Sequence, residues 1–163
     1  MNEEPDADPG DGRDESMNER LDRNWGEILQ ELRVTQTGTQ IFTGFLLSVA
    51  FQQRFGSLSP FQRHTYLVLV LIAVLTTAIG LAPVNLHRSV FRRHAKLMVV
   101  TVGHRVLRTM LFGVGLLLVG SVLLIFDVVA SRTAAVVAAA AVAVVIGAIA
   151  VLPRLLRAQV AVR

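Results

Sequence analysis

From Val34 onward the chain alternates between long apolar blocks and short polar breaks, and the block lengths suggest the architecture. The blocks run over about 34–53, 66–84, 107–129 and 134–152. Each holds roughly 19–23 residues, which at a helical rise of about 1.5 Å per residue spans roughly 30 Å, one hydrocarbon thickness. A soluble four-helix bundle shows polar residues along its outer faces at regular intervals. The third and fourth blocks lack them. The pattern predicts an all-α membrane protein, a four-helix bundle of four transmembrane helices.

A different periodicity precedes the first block. In Asn18–Val34, Leu21, Trp25, Ile28, Leu29 and Leu32 fall in one helical sector, and Arg20, Arg23, Glu27 and Glu31 face the other way. Trp25 suits the headgroup zone. The expectation is an N-terminal interfacial amphipathic helix on the cytoplasmic side. A helix packed on another protein surface has the same moment and stays open as the alternative. Residues 1–17 are acidic and rich in Pro and Gly. Such a segment buries too little apolar surface to offset its chain entropy, so a disordered, solvating tail is expected. The membrane domain then covers 18–157, and 158–163 is a short cytoplasmic tail.

Inside the blocks the polar and small residues are few. The first block is the least apolar, with Gln36, Thr39, Gln40 and Thr43 grouped on one face. An unpaired amide in lipid costs several kcal/mol, so this face must meet protein or water. It serves either as interhelical hydrogen-bonding glue or as a polar path. Gly56-Ser57-Leu58-Ser59-Pro60 reads as the following turn, and Tyr66 as an interfacial aromatic at the outer end of span two. Pro83 ends or kinks that span, and Pro153 closes the fourth. In span three Gly113, Gly120 and Asp127 are seven apart, hence nearly on one face. In span four Ala139, Ala143 and Gly147 form a small-residue ridge.

Charge adds orientation. Asn85–Arg108 carries six of the sixteen Lys and Arg and three of the four His, with no acid. With the N-terminus inside, thirteen of the sixteen cations lie on the cytoplasmic side and only Arg54, Arg63 and Arg132 lie outside. By the positive-inside rule both termini are cytoplasmic, in the cell membrane. Arg88, Arg92 and Lys96 form one stripe, with Arg93 beside it. Because these cations flank apolar segments, anionic lipid headgroups are the expected partner, and nucleic acid is not. Residues 86–102 either lie in the interface and turn near Gly103 or extend span three into the cytosol.

The residues support little chemistry. The chain has no Cys, which excludes disulfides, thiolate metal sites and cysteine catalysis. His87, His94 and His104 lack the i, i+4 pairing of helical metal sites and sit among cations, so neither metal nor cofactor is expected. No nucleophile–base–orienter set is visible, which argues against an enzyme. Eleven of the twelve acids precede Val34, leaving Asp127 as the lone acid of the spanning region. It is a functional candidate by position. Its place near the outer end of span three favours pairing with Arg132 or with water.

The run NWGEILQELRVTQTGTQIFTGFLL, then FQQRF, Pro83 and the His87-Arg88 to Lys96 stretch resemble a family of small four-span actinobacterial membrane proteins of unknown function, over roughly Leu21 to Val129. Members are sometimes labelled sodium:proton antiporters. The resemblance implies the four-span architecture and no catalytic or binding residues. The expected role is a structural or regulatory membrane component acting through oligomerisation, a partner membrane protein or anionic lipid. The alternative is a small transporter or channel-like subunit. The antiporter label itself is disfavoured, because neither Glu31 nor Asp127 falls near the centre of a span.

Overall fold

The computed structural model describes residues 6–7, 12–83, 85 and 96–160. Among the described residues the chain is all-helical, without strands. The elements are α1 (Met17–Val49), a 3-10 turn (Gln53–Ser57), α2 (Pro60–Gly80), α3 (Lys96–Val129) and α4 (Arg132–Val160). Among the described residues, three stretches are long and apolar enough to cross a membrane: Pro60–Gly80, Leu97–Val129 and Arg132–Leu152. α1 is not one of them, because Gln30, Glu31, Thr35, Gln36, Thr37 and Gln40 dilute its apolar content.

The helix starts have local causes. Ser16 and Glu19 make a capping box: the Ser16 N–H donates to Glu19 Oε2 at 2.9 Å, and the Glu19 N–H to Ser16 Oγ at 3.4 Å. Ser59 and Gln62 repeat the device at α2, at 2.9 and 3.3 Å, with Pro60 at the first helical position, where its missing N–H costs nothing. α2 therefore begins six residues ahead of Tyr66, the start expected from hydropathy. At α4 the Ala134 N–H donates to Ser131 Oγ at 3.2 Å. The other end of α4 departs from expectation too, since the helix runs through Pro153 to Val160.

The stretches expected to form an interfacial helix and a separate first span lie largely in one continuous helix, α1. Nothing between Glu31 and Gln40 breaks a helix, since the stretch has no Pro and Gly38 alone is tolerated.

The chain divides into two compact units, one of Met1–Gln40 and Thr76–Leu111, the other of Ile41–Leu75 and Phe112–Arg163. In the first, Leu21, Ile28 and Leu32 of α1 are buried with Val100, Val106, Leu107 and Met110 of α3, and Trp25 and Val102 pack alongside. The apolar face expected to rest in the headgroups is thus covered by protein, the alternative that the helical moment left open. Gly103 is inside α3 rather than at a turn. A Cβ there would lie 3.0 Å from Trp25 Cζ3 and 3.1 Å from Ile28 Cγ2, so the missing side chain is what lets α1 approach. For the described part of 86–102, the extension of span three is the form seen: α3 is unbroken from Lys96.

In the second unit Leu46, Tyr66, Leu69, Ala73, Leu117 and Leu124 form the core. Gly120 of α3 lies against Leu69. Tyr66 is buried, with Phe55 edge-on to its ring at 5.0 Å, so its ring packs on protein. On α4, Ala135 and Ala139 are buried, whereas Ala143 and Gly147 of the expected ridge are exposed. Only 11% of the spanning stretch of α4 is buried, and Val137, Val144 and Ile149 stand outward. An apolar surface this extensive suits lipid, not water.

Candidate functional site

Among the described residues, several polar side chains meet helix ends. The last four carbonyls of an α-helix have no intrahelical donor, and in lipid each must find one elsewhere. Three side chains from neighbouring helices supply donors. Gln36 of α1 donates its amide to the carbonyl of Gly80, the last residue of α2, at 2.7 Å. The buried Tyr66 hydroxyl of α2 donates to the Leu46 carbonyl near the end of α1 at 2.8 Å. Gln62 of α2 donates to the Asp127 carbonyl near the end of α3 at 3.3 Å.

Gln62 does more than cap. Its Oε1 accepts from the Ser59 N–H, while its Nε2 also reaches Asp127 Oδ2 at 2.9 Å. Asp127 receives Arg132 as well, through Nε on Oδ1 and through a guanidinium nitrogen on Oδ2 at 3.4 Å. The Arg132 guanidinium carbon sits 3.6 Å from the centre of the Phe61 ring, within cation–π range. The Asp127 side chain is 4% exposed, and both of its oxygens are engaged. A carboxylate held this way ties the start of α2, the end of α3 and the start of α4 together. It is poorly placed to bind and release a cargo ion. Arg132 is the partner the sequence suggests; Gln62 is one it does not. The Ser59-Pro60-Phe61-Gln62 capping pattern is the signal that could have found it.

The four polar residues of α1 do not share one environment. Gln36 is committed to Gly80. Thr39 is fully buried, and its hydroxyl donates back to the Thr35 carbonyl at 2.9 Å. Thr43 is half-buried and Gln40 is exposed. Gln40 lies one position, about 100°, from Thr39, which carries it off the buried face. Of the headgroup candidates, Arg88, Arg92 and Arg93 lie outside the described residues, as do His87, His94 and the Lys96 side chain. The Lys96 backbone opens α3.

A cleft of about 490 Å³ opens in the second unit between the end of α1, the 3-10 turn and the last turns of α3. Its walls are mainly apolar, with Phe45, Leu46, Leu124 and Val128 among them. Arg54, Gln52, Ser57, Gln62 and Ser121 are its polar members.

Comparison with known proteins adds one match. Residues 14–153 match the model of a family of unknown function, DUF6328. The chain belongs to that family. No curated protein and no solved structure matches it significantly. Membership in DUF6328 carries no activity with it, so function rests on the geometry above.

Proposed function

We propose that this member of DUF6328 is a multi-pass cell-membrane protein with four spans, α1 supplying the first, and both termini in the cytoplasm. It works as a structural or regulatory component through assembly with copies of itself, through a partner membrane protein or through anionic lipid, and it is not an enzyme. One observation carries the reading: Gln36, Tyr66 and Gln62 are spent on carbonyls at helix C-terminal ends, so these polar side chains serve to join helices. The exposed apolar faces of α2, α3 and α4 leave contact area for lipid or another protein. Arg88, Arg92, Arg93 and Lys96 are the proposed contacts for anionic headgroups.

The second reading is a small transporter, and the exposed Gln40 beside half-buried Thr43 favours it. Sodium:proton exchange is disfavoured. It needs a group near the midplane that alternately binds ion and proton. Asp127 lies two residues from the end of α3 and is already paired. Cation uptake into vesicles holding the purified protein separates the readings. The expected result is no flux above empty vesicles, together with crosslinked oligomers or a co-purifying partner in native membranes. Flux that is lost in Gln40→Ala would favour the transporter. A strict monomer without partner or bound lipid would contradict the first reading.

A further inference from the structure

The cleft at the end of α1 has an apolar interior and, among the described residues lining it, one formal charge, Arg54, on the 3-10 turn. The second unit contains a single side-chain carboxylate, Asp127, and its oxygens are taken by Arg132 and Gln62. No acidic side chain of that unit is therefore left to neutralise Arg54, which is exposed. A cation that no acidic side chain of its own unit neutralises, among the residues lining an apolar cleft, is complementary to an anionic group carrying a hydrocarbon tail. At about 490 Å³ the cleft is of ligand size. Phe45 and Ile125, both exposed and both on its wall, extend it towards the surroundings of the helices. Free phosphate would use Arg54 but leave the apolar interior in contact with water. A neutral hydrocarbon would fill the interior but leave the charge uncompensated.

We propose that this cleft is a binding site for one anionic phospholipid, with an acyl chain along Leu46, Leu124 and Val128 and the phosphate at Arg54. Under the proposed topology the cleft takes its lipid from the leaflet opposite the one proposed for the cationic stretch 88–96. Ser121, small and on the α3 wall, leaves room for the chain. Gln62, also on the lining, is fixed by its bonds to Ser59 and Asp127.

The inference rests on the membrane reading, and its test separates the two. The full chain is reconstituted into nanodiscs of phosphatidylglycerol mixed with phosphatidylcholine, then examined by native mass spectrometry and with a phosphatidylglycerol bearing a photoreactive acyl chain. If the protein does not reconstitute, the membrane reading fails. If it reconstitutes, the expected result is one phosphatidylglycerol retained in preference to phosphatidylcholine, with crosslinks on Phe45, Leu124 or Val128. Arg54→Gln should lower that preference about tenfold, the worth of a charge-assisted hydrogen bond. Ser121→Phe, which fills the cleft, should abolish the crosslinks while leaving the helical spectrum unchanged. Crosslinks scattered over all helices, an undiminished preference in Arg54→Gln, or a second copy of the chain crosslinked at the cleft would overturn the proposal. Loss of the preference on neutralising Arg88 and Arg92, but not Arg54, would do so equally.

Discussion

Single polar side chains hold the helix ends, and each is open to test. Tyr66→Phe keeps the ring against Phe55 and removes only the donor to the Leu46 carbonyl. It should cost about 0.5–1.5 kcal/mol, the usual net worth of one buried hydrogen bond, read as a lower thermal midpoint in detergent. Gln36→Leu should cost about as much for the same reason. The ends outside the proposed spans add a pH dependence. The Arg23 guanidinium, bonded to both oxygens of Glu15, holds that carboxyl below its ordinary value of 4.5. The Ser16 N–H and hydroxyl do the same for Glu19. A folded pKa below the unfolded one means that the stabilisation is complete above about pH 4.5 and is lost as pH falls through the lowered values. Acidification below pH 4.5 should therefore loosen the start of α1, read by emission from Trp25, the only tryptophan. Glu15→Gln with Glu19→Gln should remove the acid-dependent part of that change.

At the scale of the element, two glycines make opposite predictions. Gly26 has open space where a Cβ would stand, so Gly26→Ala should stabilise α1 by up to about 1 kcal/mol through helix propensity. Gly103 faces the Trp25 ring and Ile28, so Gly103→Val should cost about 1–3 kcal/mol by overpacking and shift Trp25 emission to the red. The elements also show what the sequence made legible. Block lengths placed α2, α3 and α4, because a stretch of about 20 apolar residues has few alternatives to crossing a bilayer. The continuity of α1 was hidden because a change from amphipathic to apolar pattern looks like a boundary, while the backbone sees only an unbroken run of helix-compatible residues. The covering of the Leu21–Leu32 face was equally hidden, since a helical moment identifies a buried face and not its cover. The site was less legible than the fold. Asp127 and Arg132 are five residues apart and can be paired by eye, but Gln62 meets Asp127 across a sequence separation of 65.

At the scale of the whole molecule, the account turns on how many times the chain crosses the bilayer. Among the described residues three stretches qualify by length and composition, and α1 is the proposed fourth. With α1 crossing, both termini share a side; without it, they lie on opposite sides. The chain has no cysteine, so single substitutions report cleanly. The most direct measurement is labelling of Asn18→Cys, Ser57→Cys and Ser89→Cys in intact cells with a membrane-impermeant thiol reagent. The account predicts that Ser57→Cys labels from outside, while Asn18→Cys and Ser89→Cys label only after permeabilisation. Asn18→Cys labelling together with Ser57→Cys would contradict a crossing by α1, and Ser89→Cys labelling with Ser57→Cys would contradict a crossing by α2.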